Sequence, residues 1–158
     1  MTEDSPKCAE WANANKDDSL GIHGGCQCGA LRYRIAGPVE AVTHCHCTMC
    51  RRTSGAVVVT WLTVAVPSFT FTRGTPARYR SSAHAERAFC PVCGCQITFV
   101  SSRFPEAVDV TVGSLDDPDR TPADHQIWTE NRISWLHLDE DLPAFPQETP
   151  PEAMPKRS

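Results

Sequence analysis

Apolar and polar residues alternate, or gather in short β-branched runs, through most of the chain between residues 20 and 142. Ala30-Leu31-Arg32-Tyr33-Arg34-Ile35 and Ser68-Phe69-Thr70-Phe71-Thr72 carry the period of a half-buried strand, and Val57-Val58-Val59-Thr60-Trp61-Leu62 reads as a fully buried one. The same reasoning predicts strands over 77–81, 87–90, 96–100, 107–112 and 126–129. Turn signals such as Arg73-Gly74-Thr75-Pro76 and Ser114-Leu115-Asp116-Asp117-Pro118 separate them. No amphipathic helix of twelve residues or more is legible, so the pattern predicts an all-β single domain with cysteine-bearing loops at strand ends. Phe69, Phe71, Phe99, Trp61 and Trp128 are the expected aromatic core. Residues 1–19 are polar, and residues 143–158 hold five of the thirteen prolines, so both are read as tails that bury little.

Composition narrows the function classes. At 158 residues and 41 % hydrophobic content the chain supports one ordinary core. A formal net charge of -4, with basic and acidic residues interleaved, offers no field for nucleic acid or an anionic membrane, and neither is expected as a partner. The most apolar stretch, 56–66, holds eleven residues and falls short of the roughly 18 or more that span a bilayer. The first nineteen residues carry five acids and two lysines around no apolar run, unlike a secretory leader, which leads to an expectation of a cytoplasmic protein. Nine cysteines in a reducing compartment point to metal ligands or redox groups rather than disulfides.

Eight of the nine fall in three clusters: Cys26-Gln27-Cys28, Cys45-His46-Cys47-Thr48-Met49-Cys50 and Cys90-Pro91-Val92-Cys93-Gly94-Cys95. Cys8 stands apart. A zinc ion takes about four soft ligands in a tetrahedron, and two short Cys-rich turns from distant strands can supply them two and two. If two clusters close a four-cysteine site, the third offers three thiolates and leaves one position open, which is the catalytic type. Three thiolates around Zn²⁺ leave about one negative charge, beside which Arg51 and Arg52 follow at once. Spacing alone leaves the pairing open: Cys95, His44 or His46 can also complete the second site, and one polynuclear cluster is equally compatible. Cys95 is read as an ordinary buried cysteine.

Three stretches, GGCQCGALRY (24–33), CHCTMCRRTSGA (45–56) and FCPVCGCQITF (89–99), resemble the glutathione-dependent formaldehyde-activating family, also called the CENP-V/GFA domain. The later segments DVTVGSLDDP (109–118) and HQIWTENRISWL (125–136) are similar in kind, so the likeness spans about residues 20–142. The resemblance implies a β-tent fold of small antiparallel sheets and two zinc ions per chain. By the same likeness Cys26, Cys28, Cys90 and Cys93 correspond to structural zinc ligands, and Cys45, Cys47 and Cys50 to catalytic ones. It further implies a carbon–sulfur lyase that joins formaldehyde to glutathione as S-hydroxymethylglutathione, with a small thiol as partner. Apart from the likeness, Arg51 or Arg52, following directly on the last ligand, is the candidate to grip a substrate carboxylate. Cys95 departs from the family, which carries a small hydroxyl residue there. Two rival readings stand beside this one: a zinc-stabilised module that binds a protein partner without catalysis, and a redox role through Cys93 with Cys95 or Cys8.

Overall fold

The computed structural model describes residues 21–153. The expected N-terminal tail and Cys8 lie outside them. Ten strands form two sheets: β1 (Ile22–Gly25), β2 (Arg32–Ile35), β3 (Val39–Cys45), β4 (Val59–Ala65), β5 (Phe69–Arg73), β6 (Ala77–Arg80), β7 (Ala85–Phe89), β8 (Gln96–Ser101), β9 (Phe104–Thr111) and β10 (His125–Ile127). The smaller sheet has the order β1-β2-β5 and the larger β10-β3-β4-β9-β8-β7-β6. Every named pairing is antiparallel except β10 on β3. One helix of seven residues, α1 (Thr48–Ser54), follows β3. The all-β expectation holds.

The differences are local and have physical reasons. β1 was not expected, because Ile22-His23-Gly24-Gly25 has no strand pattern. Its glycines are there for close approach: a Cβ on Gly24 would stand 2.2 Å from the Tyr33 hydroxyl, and one on Gly25 2.5 Å from the Leu31 carbonyl oxygen. β3 also went unread, since Glu40 and His44 break its apolar run. β4 begins two residues later than the β-branched run and continues to Ala65, because 56–58 are still bends leaving α1. The aromatic-core expectation needs correction. Of the five rings only Trp61 is fully buried, and the main core is instead Leu31, Tyr33, Ile35, Val42, Leu62, Val64, Ile97, Val108 and Val110, with Phe69 and Phe71 packed on its edge. Residues 143–149, read as tail, lie along β10: the Gln126 N–H donates to the Pro143 carbonyl (2.8 Å) and the Phe145 N–H to the Gln126 carbonyl (2.9 Å).

The register gives the larger sheet two distinct faces. Val42, Leu62 and Val110 stand opposite one another on β3, β4 and β9 and point into the main core. Strand side chains alternate, so Cys45, Trp61 and Thr63 project from the other face. There Cys45, Cys50, Val59 and Trp61 form a second cluster, with Cys47, Phe99, Ile127 and Trp128 packed around it.

Candidate metal centres

The first centre joins two loops 62 residues apart in sequence. Cys26 follows directly on β1, and the chain then turns through Gly29 at φ 74°; the Leu31 N–H donates to Cys26 Sγ at 3.2 Å. Cys90 leaves β7 into a tight turn closed by the Gly94 N–H on the Cys90 carbonyl and by the Cys90 N–H on the Cys95 carbonyl, each 2.9 Å. Gly94 sits at φ 74°, where a side chain is strained. These turns bring the sulfurs of Cys26, Cys28, Cys90 and Cys93 within 4.8 Å of one another. Cys26 and Cys28 sulfurs are 3.5 Å apart, and those of Cys28 and Cys90 3.7 Å. Zn–S bonds near 2.3 Å in a tetrahedron require sulfur–sulfur edges of about 3.8 Å. The donor set therefore fits a four-coordinate soft metal.

The second centre comes from one segment. Cys45 ends β3, and Cys47 in extended geometry caps α1, its sulfur accepting the Cys50 N–H at 3.3 Å. Gly55, at φ 72°, stops the helix with its N–H on the Arg51 carbonyl. The sulfurs of Cys45, Cys47 and Cys50 lie within 4.8 Å of one another. Their protonation is coupled. The Cys45 thiol, then that of Cys50, bonds to the Cys47 sulfur and holds Cys47 far below the ordinary thiol range. Hydrogen bonding of Cys45 to Cys47 and then to Cys50, followed by burial, pushes the Cys45 thiol far up. A cation among the three sulfurs would favour the thiolate form of each.

The two histidines considered for the second centre are engaged elsewhere. Nδ1 of His44 lies 2.8 Å from the Thr60 hydroxyl, and its Nε2 lies 2.8 Å from Asp139. His46, fully buried, places Nε2 2.9 Å from Gln126 Oε1. Cys95 is half-buried and belongs to neither sulfur group; its Sγ donates to the Gln96 carbonyl at 3.8 Å. Arg51 is half-buried and Arg52 exposed, both in the last turn of α1, where positive charge suits the helix dipole. Among the described residues neither donates to a cluster sulfur.

The sequence reading missed Arg87 and Asp109. Arg87, on β7, is buried and donates from Nη2 to Cys50 Sγ at 3.6 Å. Asp109, on β9, accepts the Thr63 hydroxyl at 2.6 Å. Burial pushes its carboxyl up to about 6, against the lowering effect of that hydrogen bond. The available signal was a charged residue at an inward position of a strand leading into Cys90, which alternation alone does not distinguish from an outward one.

Residues 21–131 match the family described as glutathione-dependent formaldehyde-activating enzyme. The chain belongs to this family. A relative from Halomonas elongata, named "Putative glutathione-dependent formaldehyde-activating enzyme", is 28 % identical over 127 residues, covering 75 % of this chain and 81 % of the relative. A crystal structure of a Rhodobacter sphaeroides protein shares the fold, with a TM-score of 0.51 at 20 % identity over 78 % of this chain and 98 % of that one. Both sulfur groups lie inside the matched family segment. No helix among the described residues is long and apolar enough to cross a membrane.

Proposed function

We propose that this family member is a zinc-dependent carbon–sulfur lyase acting on a small thiol adduct, with glutathione and formaldehyde giving S-hydroxymethylglutathione as the specific reaction, in the cytoplasm. The observation that carries the reading is the contrast in ligand number between two sulfur groups of one chain: four in one, three in the other. Four thiolates close a tetrahedron and make a structural site, whereas three leave a position for a reactant. Cys45, Cys47 and Cys50 would hold a zinc ion, which when bound would supply a Lewis-acidic open position that favours the thiolate form of a small thiol, whose ordinary pKa is near 8.5.

The chain's own residues do the rest. Cys26, Cys28, Cys90 and Cys93 would hold a second zinc, which would fix their two loops. Arg51 and Arg52 follow Cys50 directly, about one helical turn beyond Cys47, and grip a carboxylate of the thiol compound, a charge-assisted contact that guanidinium makes bidentately. In the forward direction the sulfur lone pair forms the C–S bond to formaldehyde, the carbonyl π pair moves to oxygen, and oxygen takes the proton that the thiol gave up. The lyase direction reverses each move.

Metal content per chain, measured on wild type and Cys47→Ser beside an NMR assay of formaldehyde consumption with glutathione, tests this. About two zinc ions falling to one, with turnover above the spontaneous rate lost in the variant, is the expected result. One zinc in both proteins, with no rate above background, overturns the reading and leaves a zinc-stabilised binding module.

A further inference from the structure

Arg87 is a cation for which the reading above has no use. It lies in the middle of β7, 3 % exposed. The register sets Arg87 opposite Phe99, Phe99 opposite Asp109 and Asp109 opposite Thr63, a row across four strands on the face that bears Cys45 and Trp61. The guanidinium lies 4.8 Å from the Phe99 ring centroid and 5.9 Å from that of Trp61. These rings hold its plane by cation–π attraction. Nη2 donates to Cys50 Sγ, while Nε and Nη1 are buried without an acceptor. No carboxylate forms an ion pair with Arg87 among the described residues.

A buried guanidinium without a carboxylate needs another anion, because an uncompensated buried charge is costly. The group that Nη2 touches is the Cys50 sulfur, so the compensating anion is the thiolate cluster. The charge sum then decides what the centre accepts. Three thiolates and a divalent metal carry about one negative charge, and a fourth thiolate raises this to two. Counting the metal, the sulfurs and Arg87 alone, the sum is zero before the ligand arrives and one negative charge after; Asp109, farther along the same row, adds its carboxylate equally to both sums.

We propose that Arg87 sets the charge of the Cys45–Cys47–Cys50 centre so that it takes an anionic fourth ligand, a thiolate, in preference to a neutral donor. The proposal rests on the reading that this centre holds a divalent metal with an open position. Arg87 acts through Cys50 and is a positioning residue. It supplies no proton: the thiol's proton leaves to solvent when sulfur binds. Lysine is a poor replacement, since a compact, strongly hydrated ammonium lacks the planar, weakly hydrated guanidinium that packs against Phe99 and Trp61.

The test uses the full chain loaded with Co²⁺ at both centres and titrated with 2-mercaptoethanol, whose only charge on binding is at sulfur. Visible absorption of the cobalt reports binding, and imidazole serves as a neutral control ligand. Wild type is expected to bind the thiol. Arg87→Met is expected to keep two cobalt ions, to bind 2-mercaptoethanol about ten- to hundredfold more weakly, the order for a unit charge roughly 6–12 Å away, beyond Cys50, at an effective dielectric of about 20, and to bind imidazole as wild type does. Arg87→Lys should recover part of the loss. Arg87→Gln keeps a donor toward Cys50 without the charge and serves as the second neutral variant. Thiol affinity equal to wild type in either neutral variant, or an equal weakening of thiol and imidazole, overturns the proposal. Wild-type absorption that ignores the thiol altogether overturns the open-position reading first.

Discussion

The four-cysteine and three-cysteine centres use the same donor atom and are built in opposite ways. The first takes its ligands from two turns 62 residues apart, and two of them, Cys26 and Cys90, are fully buried members of the main core. The second takes all its ligands from six consecutive residues around the start of α1 and sits on the other face of the larger sheet, over Trp61 and Phe99. Closing a long loop costs chain entropy that a metal bridging its ends would offset, so a metal bound at the first centre would also contribute folding free energy. A local ligand set carries no such link. The lesson is that ligand spacing along the chain, as much as ligand count, separates a metal that holds a fold from one free to react.

The largest expected effect tests that separation directly. Cys93→Ser should lose the first metal and with it cooperative folding, seen as loss of near-UV circular dichroism and of a thermal transition. Cys47→Ser should lose one metal equivalent and keep both signals. Equal stability losses in the two variants would break the comparison.

How far the sequence carried this contrast depended on the type of signal. The sulfur groups were legible because C-x-C and C-x-x-C spacings are local and rare, and the structure gathers the same seven sulfurs in the two sets that the family likeness implied. Most strands were legible because β-branched and alternating positions persist over five or more residues. β1 escaped because its glycines serve contacts with Tyr33 and Leu31 rather than a pattern of their own. α1 escaped because its seven residues are held by a Cys47 cap and a Gly55 stop rather than by an apolar face, with only Cys50 buried. Arg87 and Asp109 escaped because their significance lies in pairing across β7, β8 and β9, a long-range register that no local window contains.

The two-faced sheet offers the next test. Leu62 and Trp61 are neighbours on β4 that point to opposite faces, Leu62 being fully buried in the main core. Leu62→Ala should lower stability by about 2–5 kcal/mol through lost burial and the cavity left behind. It should leave two metals bound, as judged by metal analysis of the folded variant. Loss of the second metal alone in this variant would mean that the faces are not separable.

Asp109 sharpens the contrast by pH. Its carboxyl, pushed up to about 6 in the folded chain mainly by burial, stands on the face of the three-cysteine centre. The raised folded value means that the folded state holds this proton more tightly than the unfolded state does. Its contribution to stability is therefore present at low pH and falls as pH rises from about 4 to about 6, then levels off. Asp109→Asn keeps an oxygen for the Thr63 hydroxyl and removes the titration. Above pH 6 the variant should be more stable than wild type by about 3 kcal/mol, with the advantage gone below pH 4, as read from chemical denaturation across that range. An advantage that is constant with pH would assign it to packing instead.

The smallest effect compares the two turns themselves. Gly94 beside the four-cysteine centre and Gly55 behind the three-cysteine centre have φ of 74° and 72°, and a Cβ added at either meets nothing within 4 Å. The cost of Ala at each is therefore conformational alone, about 1–2 kcal/mol, and Asn, which visits this region more readily, should cost less than Ala at both. If the centres differ as argued, the shared conformational cost will be accompanied by an unshared one. Gly94 donates its N–H to the Cys90 carbonyl, so any relaxation of the turn moves a ligand of the long-range site. Gly55 donates to Arg51, past the last ligand of the local site. Gly94→Ala should accordingly speed removal of one metal by a chelator while Gly55→Ala leaves both release rates unchanged, with matching small drops in thermal stability. Faster release in Gly55→Ala alone would reverse the assignment of which centre is tied to the fold.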